Sequence, residues 1–240
     1  MSKRILAFVR FFKEQGHRDM FLRGELYMNR LKFFKRYEEQ TEGNIGDKHE
    51  AVSHWLQPEE VTISLEDPRT GEVIKIEGIS DPVPVQYLMF DEYHVYCLFA
   101  VYFDEDERFE NLEDMKLKIL PDVRAGDLGS FCSIIEAESF IQRLDKVLPE
   151  TGVNVGRGLV EYFDPGTFNG SFNGQDAILR KKSSFAHQRE YRIFTYNRTI
   201  GDEPRVLQIG DLSDITFNCH KSELAKVMVL DEKPTNNSTT

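Results

Sequence analysis

The alternation of apolar and polar residues along the chain predicts more strands than helices. RILAFVRFF, near the start, is almost continuously apolar and predicts a buried strand. Further strands are predicted at LYMN, PVQYLMF, YHVYCLFAVYF, RGLVEYF, REYRIFTYN, RVLQIGDL and VMVL. EVTISLEDPRTGEVIKIEGI predicts a hairpin, because Pro68 and Gly71 separate two alternating segments.

Helical spacing is confined to a few segments. HRDMFLRGEL, RLKFFKRYEEQ and EAESFIQRLDKVLPETG each predict a helix, and another is expected to begin within HKSELAK. The third helix has an apolar stripe that predicts packing on the core, formed by Phe140, Ile141, Leu144, Val147 and Leu148. We therefore expect an α+β fold of mixed, mostly antiparallel twisted sheets with a few packed helices.

The composition favours one domain in a reducing compartment. The chain has 240 residues, of which 40% are hydrophobic, and we expect one domain over residues 1–234 with a frayed tail at 235–240. Cys97, Cys132 and Cys219 form no C-x-x-C pair, so neither a disulfide framework nor a zinc knuckle is predicted. A cytoplasmic protein is expected, and no apolar run is long enough to predict a membrane partner.

The charge is distributed unevenly. The net charge is -11, yet residues 1–40 hold ten Lys and Arg against five acids, and residues 178–192 hold five against one. Each basic block contains an arginine in or beside an apolar strand, so we expect one anionic ligand to be shared by both. Much of the acidic charge lies in YFDEDERFENLED, residues 102–114, which predicts a solvated loop or a docking surface for a basic partner.

The stretch SSFAHQREYRIFTYN places three polar residues at the beginning of a predicted strand. Gln188, Glu190 and Arg192 are two apart, and alternate residues of a strand share a face. They are therefore expected to converge, either around a solvated edge or in a site. Glu190 is expected to be an exposed carboxylate that contributes little to packing.

A turn-rich loop precedes that strand and contains the repeat FNG-S-FNG, residues 168–174. Phe168 and Phe172 would be costly to leave in water. Either both rings pack into the core and fix the loop, or they form a recognition surface that stacks on a partner.

The sequence contains no clear metal-binding or nucleotide-binding motif. Asp47, His49, Glu50 and His54 occur in GDKHEAVSHW, but the histidines are five apart instead of the four of a helical H-E-x-x-H pair, so no metal site is predicted. No G-x-x-x-x-G-K-[ST] or G-x-G-x-x-G motif is present. A nuclease would require acids with a nearby lysine, and EYR at 190–192 supplies an arginine instead.

A glutamine two residues before a glutamate, at the start of a strand and after a long loop, resembles the Q-x-E motif of the ADP-ribosyltransferase superfamily. RGELYMNRLKFFKRYEE and HQREYRIF are also similar to bacterial toxin and phage-defence members of this superfamily, including mRNA-modifying toxins. The resemblance covers the chain up to about residue 50 and residues 155–215. The sequence departs from the family at the S-T-S motif, whose nearest counterpart is KSS, Lys182 to Ser184.

The resemblance implies an ADP-ribosyltransferase-like fold, NAD as the substrate and no metal. Glu190 would stabilise the positive charge that develops on the ribose carbon, and Gln188 would hold the NH2 group of the acceptor. Arg10, in the first strand, would bind the pyrophosphate, with Arg192 or Lys182 as further ligands.

The nicotinamide pocket is less defined by the resemblance. Ser184 of the KSS segment is one candidate, and Tyr27 or Tyr37 would form the pocket if that segment does not match.

The sequence thus predicts an NAD-dependent mono-ADP-ribosyltransferase, a bacterial toxin or antiphage defence effector. Nucleic acid, with RNA favoured over a protein acceptor, is the expected target, because basic blocks and the rings of Phe168 and Phe172 suit single strands. An antitoxin or another protein is a further expected partner. The alternatives are a non-enzymatic interaction module that uses the 102–114 loop and, less favoured, a nuclease.

Overall fold

Antiparallel strands form most of the structure. The computed structural model describes residues 3–40, 47–121, 129–196 and 199–228, without the side chains of residues 37–40. The strands are β1 (Lys3–Phe12), β2 (Glu25–Arg30), β3 (Val52–Leu56), β4 (Ile63–Glu66), β5 (Val73–Ile76), β6 (Val83–Gln86), β7 (His94–Asp104), β8 (Phe131–Glu136), β9 (Asn154–Leu159), β10 (Glu161–Phe163), β11 (Gly170–Ser171), β12 (Arg180–Lys182), β13 (Glu190–Tyr196), β14 (Arg205–Gln208) and β15 (Thr216–His220). The α-helices are α1 (Gln15–Leu22), α2 (Leu31–Gln40), α3 (Leu112–Ile119), α4 (Ala137–Val147) and α5 (Leu224–Val227).

The largest sheet is organised around β7. Its strand order is β14-β2-β7-β1-β8-β15, and β13 pairs with β7 and continues to β9. Three smaller sheets contain β3 with β6 and β11, β4 with β5, and β10 with β12, of which the last pair is parallel. The predicted α+β class with mostly antiparallel sheets is confirmed.

One face of the large sheet packs on α4. Phe8 of β1 lies 5.5 Å from Phe140 of α4 and 4.7 Å from Tyr191 of β13, measured between ring centroids. Phe140 and Leu144 are fully buried, so the apolar stripe predicted for this helix is a core face. Burial of such aromatic and aliphatic side chains contributes about 1.5 to 3 kcal/mol each.

The opposite face of β7 and β13 is covered by irregular segments and α2. Leu31, Ala51, Val95, Ile178 and Phe194 form a buried cluster there. The two central strands are therefore covered on both sides, which explains why their sequences are almost continuously apolar.

Some sequence predictions fail at the ends and in short strands. Only the first three residues of PVQYLMF belong to a strand, β6, and a 3-10 turn follows at Leu88–Glu92. RGLVEYF divides into β9 and β10. VMVL is not a strand in its described part, because Val227 ends α5. The predicted tail at 235–240 lies outside the described residues.

The acidic 102–114 loop folds back on the chain. Phe109 packs on Phe103 with 5.3 Å between ring centroids, Glu107 forms an ion pair with Lys118, and Asn111 caps α3. No helix in the described ranges is long and apolar enough to cross a membrane.

Gly24 closes the turn between α1 and β2 at a position that a side chain would disrupt. Its φ is +80°, and an added Cβ would lie 1.9 Å from the carbonyl oxygen of Gly210. Gly24→Ala should lower the free energy of unfolding by about 3 kcal/mol, from left-handed strain and backbone displacement together.

Gly71→Ala is the matched control, because Gly71 has a φ of +71° with no atom within 4 Å of an added Cβ. It should lose only the strain, about 1 kcal/mol. Urea unfolding of both variants measures the difference, and equal losses would contradict the close approach of Gly24 to Gly210.

Candidate functional site

A cleft opens where β1 and β2 leave the same edge of β7. β1 pairs with β7 from Lys3↔Asp104 to Val9↔Phe99, whereas β2 pairs with β7 only at Asn29↔Val95 and Arg30↔His94. Between them, residues 96–98 of β7 have no strand partner on that edge in the described part of the chain. The cavity there has a volume of about 620 Å³, within the range of small-molecule sites. We call it the Arg10 cleft.

Arg10 occupies the gap between the two strands. Its Nη1 donates a 2.6 Å hydrogen bond to the carbonyl oxygen of Cys97, which neither β1 nor β2 reaches. The guanidinium carbon lies 4.8 Å from the ring centroid of Tyr96 and 5.9 Å from that of Phe12. Its Nε is buried and has no hydrogen-bond partner among the described residues. Arg10 thus supports the cleft, and a guanidinium has more N–H donors than the bond to Cys97 uses.

Aromatic side chains and polar groups share the cleft wall. Tyr27 and Phe33 are each 47% exposed. The remaining lining includes Phe34, Tyr96, Lys13, Glu14, His17, Glu25 and Asn29. Burial, opposed by the charge of Arg10, raises the pKa of Tyr96 to about 12, so its hydroxyl stays neutral. Apolar walls with a few polar groups are typical of sites for nucleotide-sized ligands.

The strand that carries the Q-x-E motif holds a cluster of buried charges formed by Glu50, Lys181, Glu190 and Arg192. Arg192 Nε donates to Glu190 Oε1 at 2.6 Å, and Arg192 Nη2 donates to Glu50 Oε1 at 2.9 Å. Lys181 Nζ lies 3.1 Å from a carboxylate oxygen of each glutamate. Two carboxylates therefore balance two cations where little water reaches them. We call this the buried charge cluster.

The sequence predicted an exposed Glu190, and this is wrong. Glu190 is 5% exposed and Arg192 is 1% exposed. Arg192 Nη1 also donates to the carbonyl oxygen of Ile178 at 2.6 Å, so each of its three guanidinium nitrogens has a protein partner. Arg192 is committed to the fold and does not line the Arg10 cleft, contrary to the expectation that it helps to bind pyrophosphate.

Gln188 and Glu190 converge, but not through strand alternation. Gln188 ends a 3-10 turn, and Arg189 has a left-handed backbone with φ 41°, so β13 begins only at Glu190. Lys181 joins the pair instead: its Nζ donates to Gln188 Oε1 at 2.7 Å and to Glu190 Oε2 at 3.1 Å.

The cluster keeps its members ionised. Burial alone would raise the pKa of Glu190, but the charges of Arg192 and Lys181 hold that pKa well below its ordinary value. Burial alone would lower the pKa of Lys181, but Glu190 and Glu50 raise it. Both partners are therefore charged at neutral pH, and removal of either one leaves the other uncompensated.

Cys97 separates the buried charge cluster from the Arg10 cleft. It pairs with Arg192 in the ladder between β7 and β13 and also lines the cleft. Burial and the adjacent Glu190 carboxylate raise the pKa of its thiol, which excludes a thiolate nucleophile at neutral pH. Glu190 therefore neighbours a residue of the cleft lining but does not line the cleft itself.

The other predicted cofactor ligands lie elsewhere. Lys182 Nζ is 3.4 Å from Asp47 Oδ1, Ser184 is exposed on the turn that precedes Arg189, and neither lines the Arg10 cleft. Tyr27 does line it, whereas the side chain of Tyr37 lies outside the described residues.

Phe168 and Phe172 pack within the protein. Their rings stack with centroids 4.7 Å apart, and each lies 5.3 Å from the ring of Phe163. They cover the buried cluster of Val52, Trp55 and Phe163. The rings fix the loop, as the first of the two interpretations held, and target recognition by these partly buried rings stays a prediction.

Ion pairs neutralise much of both basic blocks. The pairs in the first block are Arg23 with Glu25, Arg30 and Lys32 with Glu92, Lys35 with Asp91, and Arg36 with Asp202. In the second block, Arg180 pairs with Glu161 and Lys182 with Asp47, and Lys181 and Arg192 belong to the buried charge cluster. None of the second block lines the Arg10 cleft, so the structure does not bring the two blocks together at this cavity.

Glu50 and Lys181 are the residues that sequence reasoning missed. The sequence around Glu50 indicates only a weak metal motif, and Lys181 stands out only as one of several cations in a basic segment. Lys181 supplies the lysine that the nuclease alternative lacked, but it is 2% exposed, and no metal-binding group of His, Cys, Asp or Glu occurs within the described ranges.

Comparisons with known proteins found no family model, no curated protein and no solved structure that matches this chain.

Glu190→Gln should destabilise the fold strongly, because Arg192 and Lys181 would then share a single carboxylate. We expect the free energy of unfolding in urea to fall by about 3 to 5 kcal/mol. Glu161→Gln is the control: it removes an ion pair with Arg180 in which the Glu161 side chain is 65% exposed, and it should lose at most about 1 kcal/mol. Similar losses in both variants would show that the cluster does not hold buried charges.

Stability should also fall in mildly acidic solution. Burial and the charge of Lys182 lower the pKa of His49 from 6.5 to about 4, against the opposing effect of Asp47. Between these values the unfolded chain binds a proton that the folded chain does not, so the free energy of unfolding declines as the pH falls.

The decline due to His49 should be at most about 3 kcal/mol, measured by urea unfolding at a series of pH values. Burial lowers the pKa of His94 as well, so His49→Gln should remove part of the slope. An unchanged slope in that variant would contradict the assignment.

Proposed function

We propose that the protein binds NAD in the Arg10 cleft and transfers ADP-ribose from it to a macromolecule. The observation that carries this proposal is the position of Arg10: a partly exposed guanidinium between diverging strands, in an aromatic cleft of about 620 Å³. β13, which begins at the glutamate of the Q-x-E motif, pairs with the other edge of β7 at the same level. The transfer reaction is proposed from the resemblance to ADP-ribosyltransferases. The volume and lining of the cleft support the binding of NAD.

The cleft wall suits the parts of a dinucleotide. Arg10 can form charge-assisted hydrogen bonds to the pyrophosphate. Tyr27 and Phe33, both half-exposed, offer ring faces for a base or nicotinamide. Glu25 and Asn29 provide acceptors and a donor for ribose hydroxyl groups. NAD binding therefore requires no residue of the buried charge cluster.

Glu190 has a structural role and, under this proposal, a second one in transfer. An ionised carboxylate beside the ribose carbon would stabilise the positive charge that develops as the nicotinamide leaves. Arg192 and Lys181 keep the carboxylate of Glu190 ionised. Contact with the ribose requires that the Cys97 side chain move aside, because Cys97 forms the wall between Glu190 and the cleft.

The acceptor proposed from the sequence was nucleic acid, with RNA favoured. Both supports for that choice are weaker in the structure, since the rings of Phe168 and Phe172 pack on Phe163 and much of the basic charge is paired. We therefore propose transfer to a macromolecule and leave RNA and protein as two outcomes of one assay. Labelled NAD is incubated with lysate, and the product is treated with nuclease or protease separately.

Arg10→Ala should weaken NAD binding by about ten-fold or more, because each charge-assisted bond contributes about 1.5 to 3 kcal/mol. Tyr27→Ala should also weaken binding, and its 47% exposure makes an effect on folding small. Calorimetry with the purified chain measures both variants.

Two matched controls lie outside the cleft. Arg4→Ala removes an exposed arginine from the same strand as Arg10, and Phe217→Ala removes a 56% exposed ring from β15 at the far edge of the sheet. Both should bind NAD as the wild type does. Equal affinities in Arg10→Ala, Tyr27→Ala and the controls would reject the cleft as the NAD site.

A further inference from the structure

The hairpin of β4 and β5 exposes an apolar face. Ile63 pairs with Ile76 and Leu65 pairs with Ile74, and because side chains alternate along a strand, these four lie on one face. Leu65 is 60% exposed, Ile74 59% and Ile76 42%. The face is a continuous aliphatic patch, unlike the scattered exposed apolar residues that are normal on protein surfaces.

No other part of the described chain completes this hairpin. β4 and β5 form a two-stranded sheet, and neither strand pairs with a third strand in the described ranges. Isolated two-stranded sheets are marginally stable in water, and an apolar face normally requires a covering layer. The hairpin therefore presents both an uncovered face and open strand edges.

Hydrogen bonds within the turn define the tip of the hairpin. Asp67 accepts a 2.8 Å hydrogen bond from the amide of Arg69, and its own amide donates to the carbonyl oxygen of Glu72 at 2.9 Å. Gly71, with φ +71°, donates to the carbonyl oxygen of Asp67 at 2.8 Å. These bonds fix the turn and with it the register that places the four apolar side chains on one face.

The charge around the apolar face restricts what can cover it. Residues 59–81 contain seven acidic residues, against Arg69 and Lys75. A second copy of the chain would bring two such acidic surfaces together, and an anionic membrane would repel them similarly. A partner surface with an aliphatic centre surrounded by Lys and Arg would complement both the apolar face and the acidic charge of the hairpin segment.

We propose that the β4–β5 hairpin docks a partner protein whose contact surface is aliphatic at its centre and rimmed by Lys and Arg. The interaction does not depend on NAD chemistry, because no hairpin residue lines the Arg10 cleft. It also differs from docking through the 102–114 loop, which lies in another part of the chain and contacts the chain itself.

The partner can be identified with the full chain in its own host cells. Leu65 is replaced by the photoreactive residue p-benzoylphenylalanine, which preserves the apolar character of the face. After irradiation, mass spectrometry identifies the adduct and the peptide in contact. We expect a protein other than this chain, with a contact peptide rich in Lys and Arg; an adduct with a second copy, an acidic contact peptide or no adduct would overturn the proposal.

The affinity of the purified partner then tests the surface itself. Leu65→Ser with Ile74→Ser should weaken binding by about ten-fold or more, as expected for central apolar contacts. Glu72→Lys keeps the apolar face and reverses a charge two residues from Ile74, on the same side of the chain, so it should also weaken binding, by charge repulsion. Added salt should weaken binding by the wild type, because it screens the rim charges.

Leu117→Ser is the matched control, since Leu117 is 75% exposed on α3 outside the hairpin. It should leave partner affinity unchanged. Thermal melting should be nearly unchanged in the hairpin variants, because the substituted side chains are exposed in the isolated chain. Partner affinity that is unaffected in both the Leu65→Ser/Ile74→Ser variant and Glu72→Lys would also overturn the proposal.

Discussion

Arg192 is among the largest side chains that the protein buries completely, and its charge is compatible with that position only because two carboxylates meet it there. An unpaired charge in such a place would destabilise the fold by several kcal/mol, so Glu50 and Glu190 must both remain in place. Glu50 belongs to the segment before β3, and Lys181 belongs to β12. Pairing the charge of Arg192 therefore fixes the segment before β3 against β13, and Lys181 joins β12 to the same two carboxylates. The same contacts place Glu190 against Cys97 and so define one wall of the Arg10 cleft.

The cleft follows from a second constraint, the hydrogen bonds of β7. β1 and β2 both pair with one edge of this strand but leave residues 96–98 between them. A buried carbonyl without a partner is unfavourable, and Arg10 supplies the partner for Cys97. A lysine could satisfy one carbonyl, but the planar guanidinium also lies against Tyr96 and keeps further donors available. The residue that stabilises the gap between the strands is thus also suited to bind an anion inside it.

Sequence patterns predict the helices, strands and turns whose formation depends on residues close together in the chain. The apolar run of β1, the hairpin of β4 and β5 and the stripe of α4 are each visible within a few residues. The buried charge cluster is not, because Glu50 and Arg192 are 142 positions apart and neither has a local signal of its partner. Alternation predicted that Gln188 and Glu190 converge, but the cause is Lys181, since Arg189 breaks the strand geometry between them. Charge counts along the chain failed for a similar reason: Lys32 and Lys35 find their carboxylates at Glu92 and Asp91.

Once the ion pairs are taken into account, the surface is more acidic than the two basic blocks suggest. The net charge of -11 is not offset by an open basic face, because the cations of residues 178–192 are paired or, like Arg189, bonded to backbone carbonyls. Such a surface repels polyanions at a distance and attracts basic proteins. Long-range electrostatics thus suits the basic partner proposed for the hairpin, while the binding proposed for Arg10 would act only at short range, inside a cleft with aromatic walls. A small dinucleotide can enter that cleft without a basic face to guide it, whereas a long nucleic acid would have to approach across acidic surface.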